Sequence, residues 1–292
     1  MRKNLLFLLF SLILVACAPH GKKANAKLTD DAGNAANFEK PVRKAVSLAP
    51  NLTEIIYFIG AEKQLAANTL YCNYPPEAKK KPKIGDLLNV DFERLVQINP
   101  DVILMTIEGN RKSQYEKIKA LKFPVFVSNP RNFDGILKTI RDFGVIFGKE
   151  KTAAEKAEKL RRKFAELKKR SGKYKNKSAL FLIAVKPLMA AGEKTFINEY
   201  LSACGLKNAV AESGLSYPVI NSEELLKLNP DFIILPENQK ELFDEFIGNN
   251  EILKNLRAAA NGNVIFVNPD LYFRPGPRFV NALEDLTNRL AK

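Results

Sequence analysis

Short apolar runs rich in β-branched residues alternate along the chain with stretches whose apolar residues recur every three or four positions. Lys44–Leu48, Val125–Val127, Ala179–Val185 and Val264–Val267 read as buried strands. Asp134–Phe147 and Pro277–Leu290 carry helical spacing. Asn51-x-x-Glu54 predicts a capping box opening a helix that stops at Gly60, and a further helix is predicted from Phe196 to Cys204, ended by Gly205. Parallel strands need a crossover, and a helix is what fills it, so this alternation predicts an α/β fold with mainly parallel sheets flanked by helices.

One unit of the pattern occurs twice. Asp91-Phe92-Glu93-Arg94-Leu95-Val96-Gln97-Ile98-Asn99-Pro100-Asp101-Val102-Ile103-Leu104 aligns without a gap on the segment from Asn221 to Ile234, at a constant offset of 130 residues. In each copy an Asp or Asn can cap a short helix, Asn-Pro-Asp stops it, and an apolar run follows as a strand. Two copies predict two similar lobes. Between them, Lys149 to Arg170 places Ala153, Ala157, Leu160, Phe164 and Leu167 at helical spacing among charged residues. That predicts one amphipathic connecting helix, about 33 Å long at about 1.5 Å per residue. A single stiff helix joining the lobes predicts limited hinge motion.

The chain opens with Arg2 and Lys3 ahead of an apolar run through Ala16, too short for a membrane span, which reads as a signal peptide over residues 1–16. Leu14-Val15-Ala16-Cys17 resembles a bacterial lipobox, so Cys17 is the expected acylation site and first mature residue, holding the protein on a membrane without spanning it. An ordinary signal peptide ending by chance in a cysteine is the other reading. Residues 17–40 have almost no large apolar side chains beyond Leu28 and Phe38 and read as a flexible tether. The expected division is then an N-terminal lobe at 41–148, the connecting helix at 149–171 and a C-terminal lobe at 172–292.

Charge and chemistry narrow the function. The net charge of +14 falls to +12 once Arg2 and Lys3 are removed, a balance that favours anionic surfaces. Export argues against nucleic acid, and the lysines are scattered along helices as a solvated face. The one histidine is His20, in the tether, which removes imidazole general acid–base catalysis, Ser-His and Cys-His pairs, and histidine-rich sites for bare zinc or manganese. Neither GxxxxGK[ST] nor HExxH occurs. The expectation is a protein that is not an enzyme and that supplies no metal ligand or cofactor of its own. With Cys17 acylated, Cys72 and Cys204 are too few for a disulfide framework and are expected as free thiols.

The chain resembles the periplasmic binding proteins with a rigid helical backbone that serve importers of vitamin B12, haem and iron–siderophore complexes, and is most similar to their cobalamin-binding branch. The resemblance rests on Ser47-Leu48-Ala49-Pro50-Asn51-Leu52-Thr53-Glu54, Tyr71-Cys72-Asn73-Tyr74-Pro75-Pro76-Glu77-Ala78, the two Asn-Pro-Asp units and Arg274-Pro275-Gly276-Pro277-Arg278. It implies a ligand cleft between the lobes, with Pro50, Tyr71, Leu87, Tyr217 and Arg274 at the ligand. It also implies that Glu93 and Glu223 dock the two lobes onto arginines of the ABC permease subunits, although each also lies in a helical first turn where the dipole favours an acid regardless of partner. The implied cargo is a cobalt corrinoid, or alternatively haem or a ferric siderophore, carried by a monomer. A lipid-anchored sensor without transport is the reading from a different class. Two departures stand out: the chain has no Trp, Leu87 and Tyr217 standing where the cobalamin-binding branch carries tryptophan, and Thr287 stands near the place of a cysteine that would pair with Cys204.

Overall fold

The computed structural model describes residues 26–171 and 174–291. The expected signal peptide, Cys17 and His20 lie outside the described residues. The N-terminal half runs β1 (Ala26–Thr29), β2 (Ala35–Phe38), β3 (Ala45–Ser47), α1 (Pro50–Phe58), β4 (Leu65–Asn68), α2 (Phe92–Ile98), β5 (Val102–Thr106), α3 (Lys112–Ala120), β6 (Val125–Ser128) and α4 (Phe133–Phe147). Helix α5 (Glu150–Ser171) leads to the second half. There follow β7 (Ser178–Ala184), β8 (Met189–Ala190), α6 (Asn198–Ala203), β9 (Lys207–Asn208), α7 (Ser222–Leu228), β10 (Phe232–Pro236), α8 (Lys240–Gly248), α9 (Glu251–Lys254), α10 (Arg257–Ala260), β11 (Val264–Val267), α11 (Pro269–Tyr272) and α12 (Phe279–Leu290).

Each half builds a parallel sheet of the same order. The first is β4-β3-β5-β6, and β9-β7-β10-β11 repeats it, with β8 added antiparallel to β7. The repeated sequence unit is the reason. Asp91 and Asn221 cap α2 and α7 by accepting the backbone N–H of Arg94 at 2.9 Å and of Glu224 at 2.8 Å. Asn99 and Asn229 end those helices in the left-handed region, at φ 47° and 37°. Asp101 then accepts the N–H groups of Arg43 and Lys44, and Asp231 accepts that of Ser178, so each Asn-Pro-Asp motif also anchors the start of the neighbouring strand.

The lobes share their core. Phe133 of α4 stacks on Phe164 of α5 with ring centroids 4.3 Å apart and lies 5.3 Å from Phe279 of α12, which stacks in turn on Tyr200 of α6 at 4.3 Å. Buried residues of both halves form one continuous cluster beneath the interlobe face. Cys72 and Cys204 are free and buried, and Cys204 faces Thr287 with Sγ and Oγ1 3.9 Å apart. Among the described residues no helix is long and apolar enough to cross a membrane.

Two local expectations are corrected. The flexible tether does not extend to residue 40: β1 and β2 pair as an antiparallel hairpin whose turn is organised by Asp30, which accepts from Ala32 and Asn34 N–H. Asp30 also accepts from Val127 N–H, and Phe38 meets Phe126, so tertiary contacts hold a segment whose composition alone is too polar to predict order. The capping box at Asn51 and Glu54 does not form either. Ala49 is the N-cap residue without a side-chain bond, Pro50 takes the first helical position, and both polar side chains turn to the other lobe.

Candidate ligand cleft between the lobes

The carboxyl ends of the strands in both sheets face each other across a cleft, the place where open α/β sheets present irregular backbone and free side chains. A cavity of about 320 Å³ lies there. Pro50 and Asn51 reach it from the start of α1, Leu87 from the loop after β4, Glu108 from the loop after β5, and Asp270, Phe273 and Arg274 from α11 and the turn after it. Tyr71 projects from its loop more than half exposed. Four of the five ligand residues suggested by resemblance, Pro50, Tyr71, Leu87 and Arg274, therefore line one cavity. Tyr217 is not among the lining residues; it is half-buried at the edge and its hydroxyl donates across the cleft to Glu108 Oε2 at 2.8 Å. Burial first, and then the neighbouring Glu108 charge, push its phenol pKa up, so the hydroxyl stays protonated and remains a donor.

Arg274 is buried, and both of its terminal nitrogens are engaged. Its guanidinium donates to Glu54 Oε1 at 3.0 Å, Asn73 Oδ1 at 2.7 Å and the Tyr71 carbonyl at 3.3 Å, and it also pairs with Asp270. Glu54, with 2 % of its side chain exposed, accepts from Arg278 as well, at 2.6 and 2.8 Å. Burial opposes the Arg278 charge, yet the bonds to Glu54 outweigh it and raise its pKa. The Arg278 guanidinium also lies 4.0 Å over the Tyr74 ring. A carboxylate of the first lobe thus clamps two arginines of the second directly below the cleft.

Sequence reasoning did not find Glu54, Glu108, Asp270 or Phe273 as site residues. The available signal was position: Glu108 and Asp270 each follow the end of a sheet strand, β5 and β11, by a few residues. Glu93 and Glu223 sit at the equivalent first-turn positions of α2 and α7, one on each lobe, and both are exposed. Neither carboxylate has an ion-pair partner among the described residues, and no group of three or more potential ligands that could hold a metal ion occurs among them.

Two α/β lobes of one strand order, bridged by a long helix and enclosing an apolar cleft with a few fixed polar groups, define a solute-binding protein of the rigid-helix kind. The chain belongs to the periplasmic binding protein family, whose model matches residues 46–271. It is 27% identical over 254 residues to a vitamin B12-binding protein of Photorhabdus laumondii, covering 87% of this chain and 89% of that one. An uncharacterised ABC transporter substrate-binding lipoprotein of Bacillus subtilis is 29% identical over 270 residues, covering 89% and 84%. The crystal structure of the periplasmic vitamin B12 binding protein of Vibrio cholerae superposes with a TM-score of 0.77 at 25% identity, covering 86% of this chain and 97% of that one. Membership makes this chain an extracytoplasmic solute-binding protein.

Proposed function

We propose that the protein captures cobalamin or a related corrinoid in the interlobe cleft and delivers it to the permease subunits of an ABC importer. It acts as a non-enzymatic monomer, held to the membrane through acylated Cys17, and the metal arrives with the cargo. One observation carries the choice of ligand: among the described residues lining the cavity the only cation is Arg274, and both of its terminal nitrogens are already engaged, by Glu54, Asp270, Asn73 and the Tyr71 carbonyl. The remaining wall is apolar, as at Pro50, Leu87 and Phe273, or offers amides and carboxylates, as at Asn51, Asn129 and Glu108. A corrinoid has broad apolar faces and a rim of neutral amides, which such a wall can pack and hydrogen-bond. Haem propionates or catecholates need free cations instead. The names of the relatives support the same cargo.

The cavity is open at its mouth, so one face and edge of the macrocycle sit inside while the rest lies at the rim, where Tyr71 and Tyr217 stand. Equilibrium dialysis of residues 18–292 against cyanocobalamin, haemin and a ferric siderophore set, read by visible absorbance, tests this. One-to-one retention of cyanocobalamin is expected, weakened in Tyr71→Ala by roughly 2- to 10-fold for the loss of one aromatic contact. Retention of an iron chelate alone would overturn the corrinoid reading and leave the binding-protein role standing.

A further inference from the structure

We propose that Glu108 determines specificity: its own carboxylate occupies two donors beside the cavity, the Arg131 guanidinium and the Tyr217 hydroxyl, that a carboxylate-bearing ligand would need, and so turns the site against anionic chelates. This rests on the reading of the cleft as a chelate site and deepens it. Glu108 divides its two oxygens between partners, Oε1 pairing with the Arg131 guanidinium and Oε2 accepting from the Tyr217 hydroxyl at 2.8 Å. A guanidinium and a phenol converging on one carboxylate, at the wall of the cavity, form a ready-made anion site. Here the anion is supplied by the protein itself.

The arrangement is held in place from both lobes. The loop carrying Glu108 is pinned by Asn110, whose Oδ1 accepts from Thr106 N–H at 3.0 Å and whose Nδ2 donates to the Leu48 and Leu87 carbonyls at 3.0 and 3.2 Å. Opposite, Ala190 N–H bonds Pro218 O at 2.9 Å and Gly192 N–H bonds Ser216 O at 2.8 Å, so Tyr217 is fixed between two backbone ties. A Cβ at Gly192 would lie 1.9 Å from Leu215 O, which leaves room for no larger residue under that loop. Glu108 lines the cavity while Arg131 and Tyr217 are not among its lining residues, so the carboxylate stands between these two donors and the cavity. An incoming carboxylate must displace Glu108 or lie beside its charge, whereas an amide meets neither obstacle.

The test compares cyanocobalamin with its monocarboxylate, in which one side-chain amide is hydrolysed, so that the ring is constant and one charge differs. Haemin and its dimethyl ester form a second pair that reads the same rule without a corrinoid. In Glu108→Gln, affinity for the charged member of either pair is expected to rise on the order of tenfold relative to the neutral one. The gain should vanish in the double variant Glu108→Gln/Arg131→Gln, because the freed guanidinium is its source. Thermal unfolding followed by circular dichroism confirms that each variant is folded. An unchanged ratio in both pairs, or a gain equal for charged and neutral ligands, would overturn the proposal. Failure of the wild-type protein to bind cyanocobalamin would instead remove the corrinoid reading, and the haemin pair would still decide the role of Glu108.

Discussion

Asp231 shows how much one carboxylate can organise: it accepts from Ser178 N–H at 2.8 Å, Lys177 Nζ at 3.1 Å and Arg257 Nη1 at 3.2 Å, joining the starts of β7, β10 and α10. Burial alone would raise its pKa, but these bonds outweigh burial and hold it at about 2, below the ordinary 3.8. A depressed folded-state pKa gives stability that is complete above the unfolded value and is lost as pH falls through the folded one. The Asp231 contribution should therefore fade between 3.8 and about 2. Urea midpoints should show wild type well above Asp231→Asn at neutral pH, with the gap closing at the acid end of that window; a gap independent of pH would contradict the linkage. Cys204 makes a second case. Burial pushes its thiol up to about 11, the Thr287 hydroxyl opposing weakly, so little thiolate exists at neutral pH. In residues 18–292, Cys204 should react with an alkylating reagent only after denaturant is added, as peptide mapping by mass spectrometry would show. At this scale the sequence identified which residue types were present but not their partners. Glu54 read as a local cap because three-residue spacing is what a sequence displays, while Arg274 and Arg278 lie 220 or more residues away.

Among the elements, the duplicated helix–strand unit was the part most legible in the sequence, because its signals are local: a capping Asp or Asn, an Asn that tolerates positive φ, a proline that stops the helix, and an apolar strand. The observed pairs α2–β5 and α7–β10 keep the offset of 130 residues, with Leu104 still matched to Ile234. Asp91→Ala and Asn221→Ala should each lower stability by about 1 kcal/mol, and by about the sum when combined, since the caps lie in different lobes. Chemical denaturation of the two single variants and the double variant checks both the size and the additivity. The β1–β2 hairpin was not legible, for its strands are polar and four residues long, and what fixes them is Asp30 and Phe38 meeting β6. Helix α6 is shorter than the apolar pattern from Phe196 predicts, because Thr195 and Phe196 are spent on the turn that leads into it.

On the scale of the whole molecule, two features oppose opening of the lobes: the aromatic stack of Phe133, Phe164, Phe279 and Tyr200, and the buried clamp of Glu54 on Arg274 and Arg278. Removing one side of such a clamp leaves buried charges uncompensated, so Glu54→Ala should cost about 3–5 kcal/mol of stability. Retention of wild-type stability in that variant, measured by denaturant titration, would show that the clamp is solvated in solution. The exposed pair Glu93 and Glu223 behaves oppositely, since neither holds any element together. Reversing both charges should leave ligand binding and melting temperature near wild type and abolish permease-dependent uptake; unchanged uptake would remove them from docking.

The sequence by itself determined the α/β class, the twofold repetition, the long connecting helix and the absence of imidazole chemistry in the folded part, because periodicity, capping and composition act over a few residues at a time. Only the tertiary structure decided that Arg274 is held by Glu54, Asn73 and the Tyr71 carbonyl of the opposite lobe, that Glu108 holds Arg131 and Tyr217, and that residues 26–38 are ordered. Those are outcomes of long-range approach. Charge and hydrogen-bond partners become fixed only when strands and loops far apart in the chain close on a common cleft, and no local pattern of residues encodes that distance.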